Sequence, residues 1–423
     1  MRNLRFRALV IIAMTSAPNL SAFADESPCS RGVDRQNLVV CAVRASLEVR
    51  AEQHSVQAVQ GRRTTADALT GFNPVVGLTA GSHSAESGHG FNGSAAISQE
   101  FEIGGQRSAR RQAVAAEYAA QTSRVALAER QAAAQAWTFY FAAIAAEQEW
   151  ALAQRLVKLT DSLAIAVQAR ADKGLLAPME VDVVQATALR HRQELLELTT
   201  QVAMTRANLL TLLGLEAADN PPTVIGDLLP LSVQALDLAA GPTIDRLDLQ
   251  IAQQEFQSLQ ARAEVLRRSR MPNVAISVFA QQDPFEGRVL GLGVALPLPI
   301  AGWGRTFAGE IAETEALANR AATEKDAIGR RANLAVKRAL AEYHARVQAL
   351  QALPPEQIQR ADKGLDVLAQ QVQAGRLTVR DAIVTQQALI ELLQLQLQAR
   401  KELCLASVRL LHALDLPLER GLR

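Results

Sequence analysis

The chain repeats itself. Pro74 to Arg107 read as a proline-led strand, a polar loop, a second strand and a glycine turn ending in arginine, and Pro272 to Arg305 repeat that order 198 residues further on. Behind each copy lies a long, proline-poor helical hairpin. Two strands and a hairpin, made twice, supply too few strands to close a sheet and too many polar faces for one core. The pattern points to an oligomeric tube.

In the first copy Val76, Leu78 and Ala80 alternate with Gly77, Thr79 and Gly81; after a polar loop at Ser82 to Gly90, Phe91, Gly93, Ala95 and Ile97 alternate with Asn92, Ser94, Ala96 and Ser98. In the second, Val274, Ile276 and Val278 alternate with Ala275, Ser277 and Phe279 before a loop at Gln281 to Arg288. The returning strand sets Leu290, Leu292, Val294 and Leu296 against Gly291, Gly293 and Ala295. At the 198-residue offset those apolar positions coincide with Asn92, Ser94, Ala96 and Ser98. Either one hairpin slips by a residue or one strand is less exposed to lipid, because a one-residue slip flips every side chain. Strands of about ten residues with one apolar face fit a transmembrane β-barrel, and barrels need about eight strands, so this one must be shared between chains.

Between Gly105 and Pro178 there is no proline, which predicts a helix over 106–173, on the order of 100 Å at 1.5 Å per residue. Leu152, Leu156, Leu159, Leu163 and Val167 recur at coiled-coil spacing. The chain turns at 173–178 and returns to Leu213-Gly214-Leu215. The second long helix, from about Thr306, must break at Pro354-Pro355; it resumes, turns at 374–378, and returns along Ile390, Leu393, Leu397, Cys404, Val408 and Leu411. The predicted class is mostly α with a small β part. The predicted organisation is a first repeat over 25–215 with strands at about 74–82 and 91–101, a linker over 216–242, and a second repeat over 243–423 with strands at about 273–281 and 289–298.

Aromatics make up only 4% of the chain, which suits helices packed through small side chains rather than a bulky core. Its 44 basic and 43 acidic residues nearly cancel, leaving no electrostatic footprint for nucleic acid. Residues 1–24 read as a signal peptide: Arg2, Arg5 and Arg7, an apolar stretch from Ala8 to Met14, and cleavage near Ala24. Cys29 and Cys41 are close enough to pair in an oxidising compartment, or stand as two thiols near the chain start; Cys404 sits in an apolar helical row as a small core residue. Glu26-Ser27-Pro28 lacks the small apolar pattern that precedes a lipidated cysteine. His83, Glu86 and His89 share a strand loop, but their spacing fits no closed metal site, and methionine is scarce. No GxxxxGK, HExxH or GxSxG motif is present, so the sequence predicts neither an enzyme nor a cofactor.

Three stretches recur in a known order: Ser98-Gln99-Glu100-Phe101-Glu102-Ile103-Gly104-Gly105-Gln106-Arg107 after strand two, Leu296-Pro297-Leu298-Pro299 with Gly302-Trp303-Gly304-Arg305 after strand four, and Ala374-Gly375-Arg376-Leu377-Thr378-Val379-Arg380-Asp381 at the second tip. Together they resemble the TolC family of outer-membrane efflux channels, and the Glu-Ile-Gly-Gly-Gln-Arg stretch resembles its CzcC-like heavy-metal branch. The resemblance implies a homotrimer, with long coiled-coil hairpins forming a periplasmic α-barrel and each chain adding four strands to a transmembrane β-barrel in outer-membrane lipid. It further implies a periplasmic adaptor (membrane fusion) protein and an inner-membrane pump of the RND type.

Asp381 matches a position where related channels carry a gate aspartate, while the next often-acidic position is Val384 here. A ring of carboxylates at a constriction favours cations and resists closure; the alternative is a carboxylate placed at a helix N-terminus by the dipole. Glu180 and Asp182 in the first hairpin have the same two readings. Gly174, Leu175 and Leu176, with Gly375, Arg376, Leu377 and Thr378, match the family's adaptor-contact motif, or are ordinary turns. The functional expectation is a passive efflux duct for divalent heavy-metal cations, against the same duct serving drugs or organic solutes, and against a non-pore coiled-coil adaptor or scaffold.

Overall fold

The computed structural model describes residues 32–85, 88–215, 222–233, 246–282, 287–297 and 306–418. The signal-peptide reading therefore lies outside the described residues. Glycine and proline set the element boundaries. Helices α1 (Leu38–Ala45) and α2 (Leu47–Asp67) are separated by Ser46, whose extended backbone breaks the helix and whose hydroxyl accepts from Val49 N. Then come β1 (Val75–Ala85), β2 (Gly88–Phe101), α3 (Gln106–Ala171) and α4 (Pro178–Leu212). The second half holds α5 (Leu247–Arg268), β3 (Val274–Gln282), β4 (Arg288–Ala295), α6 (Ala308–Gln351), α7 (Pro355–Gln373) and α8 (Val379–Ala413). Helix α3 runs 66 residues without interruption, whereas Pro354 and Pro355 divide its counterpart into α6 and α7.

Four helix ends use the same device. Gly174, Gly214 and Gly375 take φ of 68, 66 and 70°, and the following amide bonds back to the carbonyl five residues earlier, as in Leu175 N to Arg170 O. The fourth end has Asp415 at φ 57° instead of glycine. Its carboxylate pairs with Arg130 of α3 at 2.5 Å and accepts from Leu247 N, so a residue disfavoured in this backbone region ties the end of α8 to α3 and α5.

Helix α3 packs differently along its length. Near the sheet, Ala109, Ala113, Ala120, Ala128 and Ala132 are buried, and side chains this small let α2 and α5 lie close. Near the tip the buried seam is Leu156, Thr160, Leu163 and Val167, with Leu152 and Leu159 flanking it half-buried. Between them Trp137, Tyr140 and Phe141 are fully buried, Trp137 and Phe141 stacked at 5.4 Å and Tyr140 edge-on to Trp137 at 5.6 Å. A bulky core therefore does exist, contrary to the expectation from composition. These three aromatics meet at one level, where α1, the strap at 222–233 and the end of α8 close around α3. Arg35 caps this core, its guanidinium 5.3 Å from the Trp137 ring centre.

Cys41 is disulfide-bonded, and Cys29, offered by the sequence as its partner, lies outside the described residues. Cys404 is free and wholly buried, and burial pushes its thiol up to about 12. A maleimide at neutral pH should leave Cys404 unmodified in the folded protein and label it on unfolding. Rapid labelling of the native protein would contradict this packing.

Candidate functional site: an apolar sheet face and the hairpin tips

The four strands form one antiparallel sheet in the order β1-β2-β3-β4, so the β2–β3 pairing joins the two repeats. Both β1 and β2 run into the stretch expected to be a loop, pairing as far as Ala85 with Gly88. His83 and His89 thus sit opposite Gly90 and Ser84 in the ladder, and Glu86 lies outside the described residues.

The register resolves the conflict between the copies. Val75 pairs with Ser98 in the first hairpin, but in the second Ala275 pairs with Ala295, one residue away from the position the 198-residue offset requires. Two residues separate Ala85 from Gly88, while five separate Gln282 from Arg288, and this change from even to odd exchanges the faces. One row across the sheet now reads Val76, Ile97, Val278, Leu292, and its neighbour Leu78, Ala95, Ala280, Leu290. Leu290, Leu292 and Val294 are 80, 78 and 74% exposed. The reverse face carries Gly77, Thr79, Asn92, Ser94, Ser277 and Gln281, together with Phe279, whose ring lies over Gly291.

Among the described residues nothing pairs with the outer edge of β1 or β4. A sheet exposing both a continuous apolar face and two unpaired edges is incomplete alone. Among the described residues no helix is long and apolar enough to cross a membrane.

At the far end the hairpin tips pack on each other. Leu163 and Val167 of α3, Val181 and Val184 of α4, Val372 of α7, and Val379 and Ala382 of α8 form one buried cluster. Arg170 Nη1 donates to Val372 O at 2.8 Å, and Arg155 reaches both Asp362 and, at 2.8 Å, Asp366. Deeper still, Gln386 Nε2 donates to Thr160 Oγ1 at 2.8 Å, with both residues buried.

The structure gives Asp381 and Glu180 equivalent local positions. Thr378 Oγ1 accepts from Asp381 N at 3.1 Å and donates to Asp381 Oδ2 at 2.6 Å, closing the first turn of α8. Glu180 Oε2 accepts from Ala177 N at 3.1 Å in the first turn of α4, where no hydroxyl stands at the cap. Asp381 and Asp182 are exposed and Glu180 is half-buried. The tip surface is narrower than the sequence suggested: Leu176 and Leu377 are half-buried against the tip cluster, leaving Gly174, Leu175, Gly375, Arg376 and Thr378 exposed. The described residues hold no cluster of three or more His, Cys, Asp or Glu that suits a metal ion.

Sequence reasoning missed Arg155, Arg170 and Gln386, whose partners lie about 200 residues away. The one visible signal was Thr160, a polar residue in an apolar seam.

A sheet segment incomplete by itself is carried on paired helical hairpins. Residues 39–215 match the family model described as outer membrane efflux protein. Among curated proteins none matches the sequence. The fold is shared with the outer membrane protein VceC from Vibrio cholerae, at 17% identity and a TM-score of 0.71, over 90% of this chain and 96% of that one. It is shared with CusC, at 14% identity and 0.73 over 94 and 96%, and with the open-state outer-membrane channel MtrE of Neisseria gonorrhoeae, at 17% and 0.71 over 91 and 89%.

Proposed function

We propose that this chain is the outer-membrane component of a tripartite efflux pump: a passive homotrimeric duct, fed by a periplasmic adaptor and an inner-membrane pump of the RND type, reached after signal-peptide cleavage near Ala24. One observation carries the reading: the apolar face runs unbroken across all four strands only because the second hairpin is shifted by one residue. A soluble scaffold has no use for such a face. Three copies supply the strands for a barrel and leave a tunnel between the hairpins. In planar bilayers the purified protein should conduct as a trimer; a soluble monomer without conductance would sink the proposal.

The proposed cargo is divalent heavy-metal cations, supported by the Glu102-Ile103-Gly104-Gly105-Gln106-Arg107 stretch. Deletion should sensitise cells to zinc, cobalt, cadmium or nickel, and unchanged metal tolerance with new antibiotic sensitivity would assign the duct to organic solutes. Asp381 is proposed as the gate carboxylate, with Glu180 and Asp182 beside it, and the exposed tip residues as the adaptor contact. Asp381→Asn keeps a carbonyl oxygen for Thr378 but removes the charge, so the trimer should form normally with cation preference reduced severalfold. Unaltered selectivity would leave Asp381 as a helix cap alone.

A further inference from the structure

We propose that the groove between the end of α2 and the start of α3 binds the phosphate of a glycerophospholipid in the leaflet adjoining the helical part. A cavity of about 560 Å³ opens there, lined by Arg63, Arg107 and Arg111 with Asp67, Ser108 and Gln112. Three guanidinium groups thus face one carboxylate. Asp67 is committed to two of them, Arg111 Nε standing 2.7 Å from its carboxylate and Arg107 donating to its backbone carbonyl at 2.8 Å. Among the described residues, Arg107 Nε is out of solvent and has no hydrogen-bond partner, and Arg63 has only the Tyr118 ring, 5.7 Å away. Arg268, which lies against Gly105, is by contrast paired with Glu264 at 2.8 Å.

At about 100° per residue, Glu117, which pairs with Arg62 and Arg262, is turned roughly 80–120° around α3 from Arg107 and Arg111. On that side two guanidinium groups share one carboxylate, whereas the groove sets three against one, a larger excess. The position of the excess identifies the ligand. The apolar face of β2 ends at Phe101, and Gly105 opens the cavity four residues later. Leu69, Phe72 and Ile103, in the segments between sheet and groove, are 74, 45 and 58% exposed. Apolar side chains followed at once by unneutralised arginines match the passage from acyl chain to headgroup, and the planar guanidinium forks suit phosphate oxygens. Gly105 supplies no side-chain cap at the start of α3, and the helix dipole there favours the same charge.

The test is native mass spectrometry of the full-length protein extracted from vesicles of equal phosphatidylethanolamine and phosphatidylglycerol. The wild type should retain phospholipid, Arg63→Gln/Arg107→Gln/Arg111→Gln should lose at least roughly tenfold, and Arg360→Gln on α7 should lose nothing. Arg63→Gln breaks no ion pair among the described residues, so it reads the site even if the triple variant fails to fold; a loss of roughly threefold is expected. Unchanged retention in Arg63→Gln and the triple variant overturns the proposal. So does equal retention of diacylglycerol, or displacement of the lipid by inorganic phosphate at matched concentration, which would make the groove a site for a free anion. The inference rests on the sheet lying in a membrane. Conductance of the same preparations separates the two: arginine-dependent retention without conductance sinks only the duct, and conductance with unchanged retention sinks only this site.

Discussion

Leu292→Arg is expected to prevent stable assembly in the membrane, while Gly77→Arg is tolerated. The two positions lie in adjacent rows of the sheet and so at similar depth, but on opposite faces: Leu292 aligns with Val278, and through it with Ile97 and Val76, while Gly77 aligns with Ala96. An arginine facing hydrocarbon near the bilayer middle costs about 2–4 kcal/mol per chain, and symmetry multiplies that by the number of copies. At Gly77 an added Cβ meets no atom within 4 Å, and the guanidinium enters a face already lined by Thr79, Asn92 and Ser94. Trimer yield in outer-membrane fractions, read on unheated gels, is the measurement. The contrast tests the register itself. Under the register required by the 198-residue offset Leu292 would share a face with Gly77, and both arginines would then have the same effect.

Gly226→Ala should unfold the waist of the molecule. Gly226 has φ of 154°, and an added Cβ would lie 1.8 Å from the Tyr140 hydroxyl and 3.0 Å from its Cζ. That hydroxyl donates to Ile225 O at 2.8 Å, holding the 222–233 strap against the aromatic core. The backbone cannot retreat without breaking this bond and the Val33–Val224 bridge next to it. Strain, a lost buried hydrogen bond and disturbed packing together put the destabilisation at roughly 3–5 kcal/mol. Tyr140→Phe removes the atom in the way and should cost only about 1–3 kcal/mol itself. The double variant should therefore be less destabilised than the two singles added together, by about 1 kcal/mol or more. Additive losses in denaturant unfolding would show that the clash does not cause the damage.

Much of this fold follows from neighbouring residues. The length of α3 is set by the absence of proline between Gly105 and Pro178, and the α6–α7 break by Pro354-Pro355. Gly174 and Gly375 mark the tips because glycine reaches φ near 70° without steric cost. Less could be read where the decisive partner is remote. Ser46 gives little local warning of the α1–α2 break because an isolated serine between helical stretches is a weak stop, and Leu176 and Leu377 looked free because nothing local shows that two tips meet. The aromatic core was hidden for the same reason, since Trp137, Tyr140 and Phe141 owe their burial to α1, the strap and α8.

The sequence by itself determined the duplication, the strand periodicities, the helix lengths and the turns, because sterics and side-chain spacing act within a few residues. It also exposed a contradiction between the copies without resolving it. Only the tertiary structure decided that the second hairpin is shifted by one residue, that Arg155 and Arg170 tie the first helical hairpin to the second, and that three arginines gather below the apolar sheet. Each depends on groups distant along the chain, whose energies of contact, whether cross-strand packing, ion pairing or unbalanced charge, exist only once the fold has brought them together.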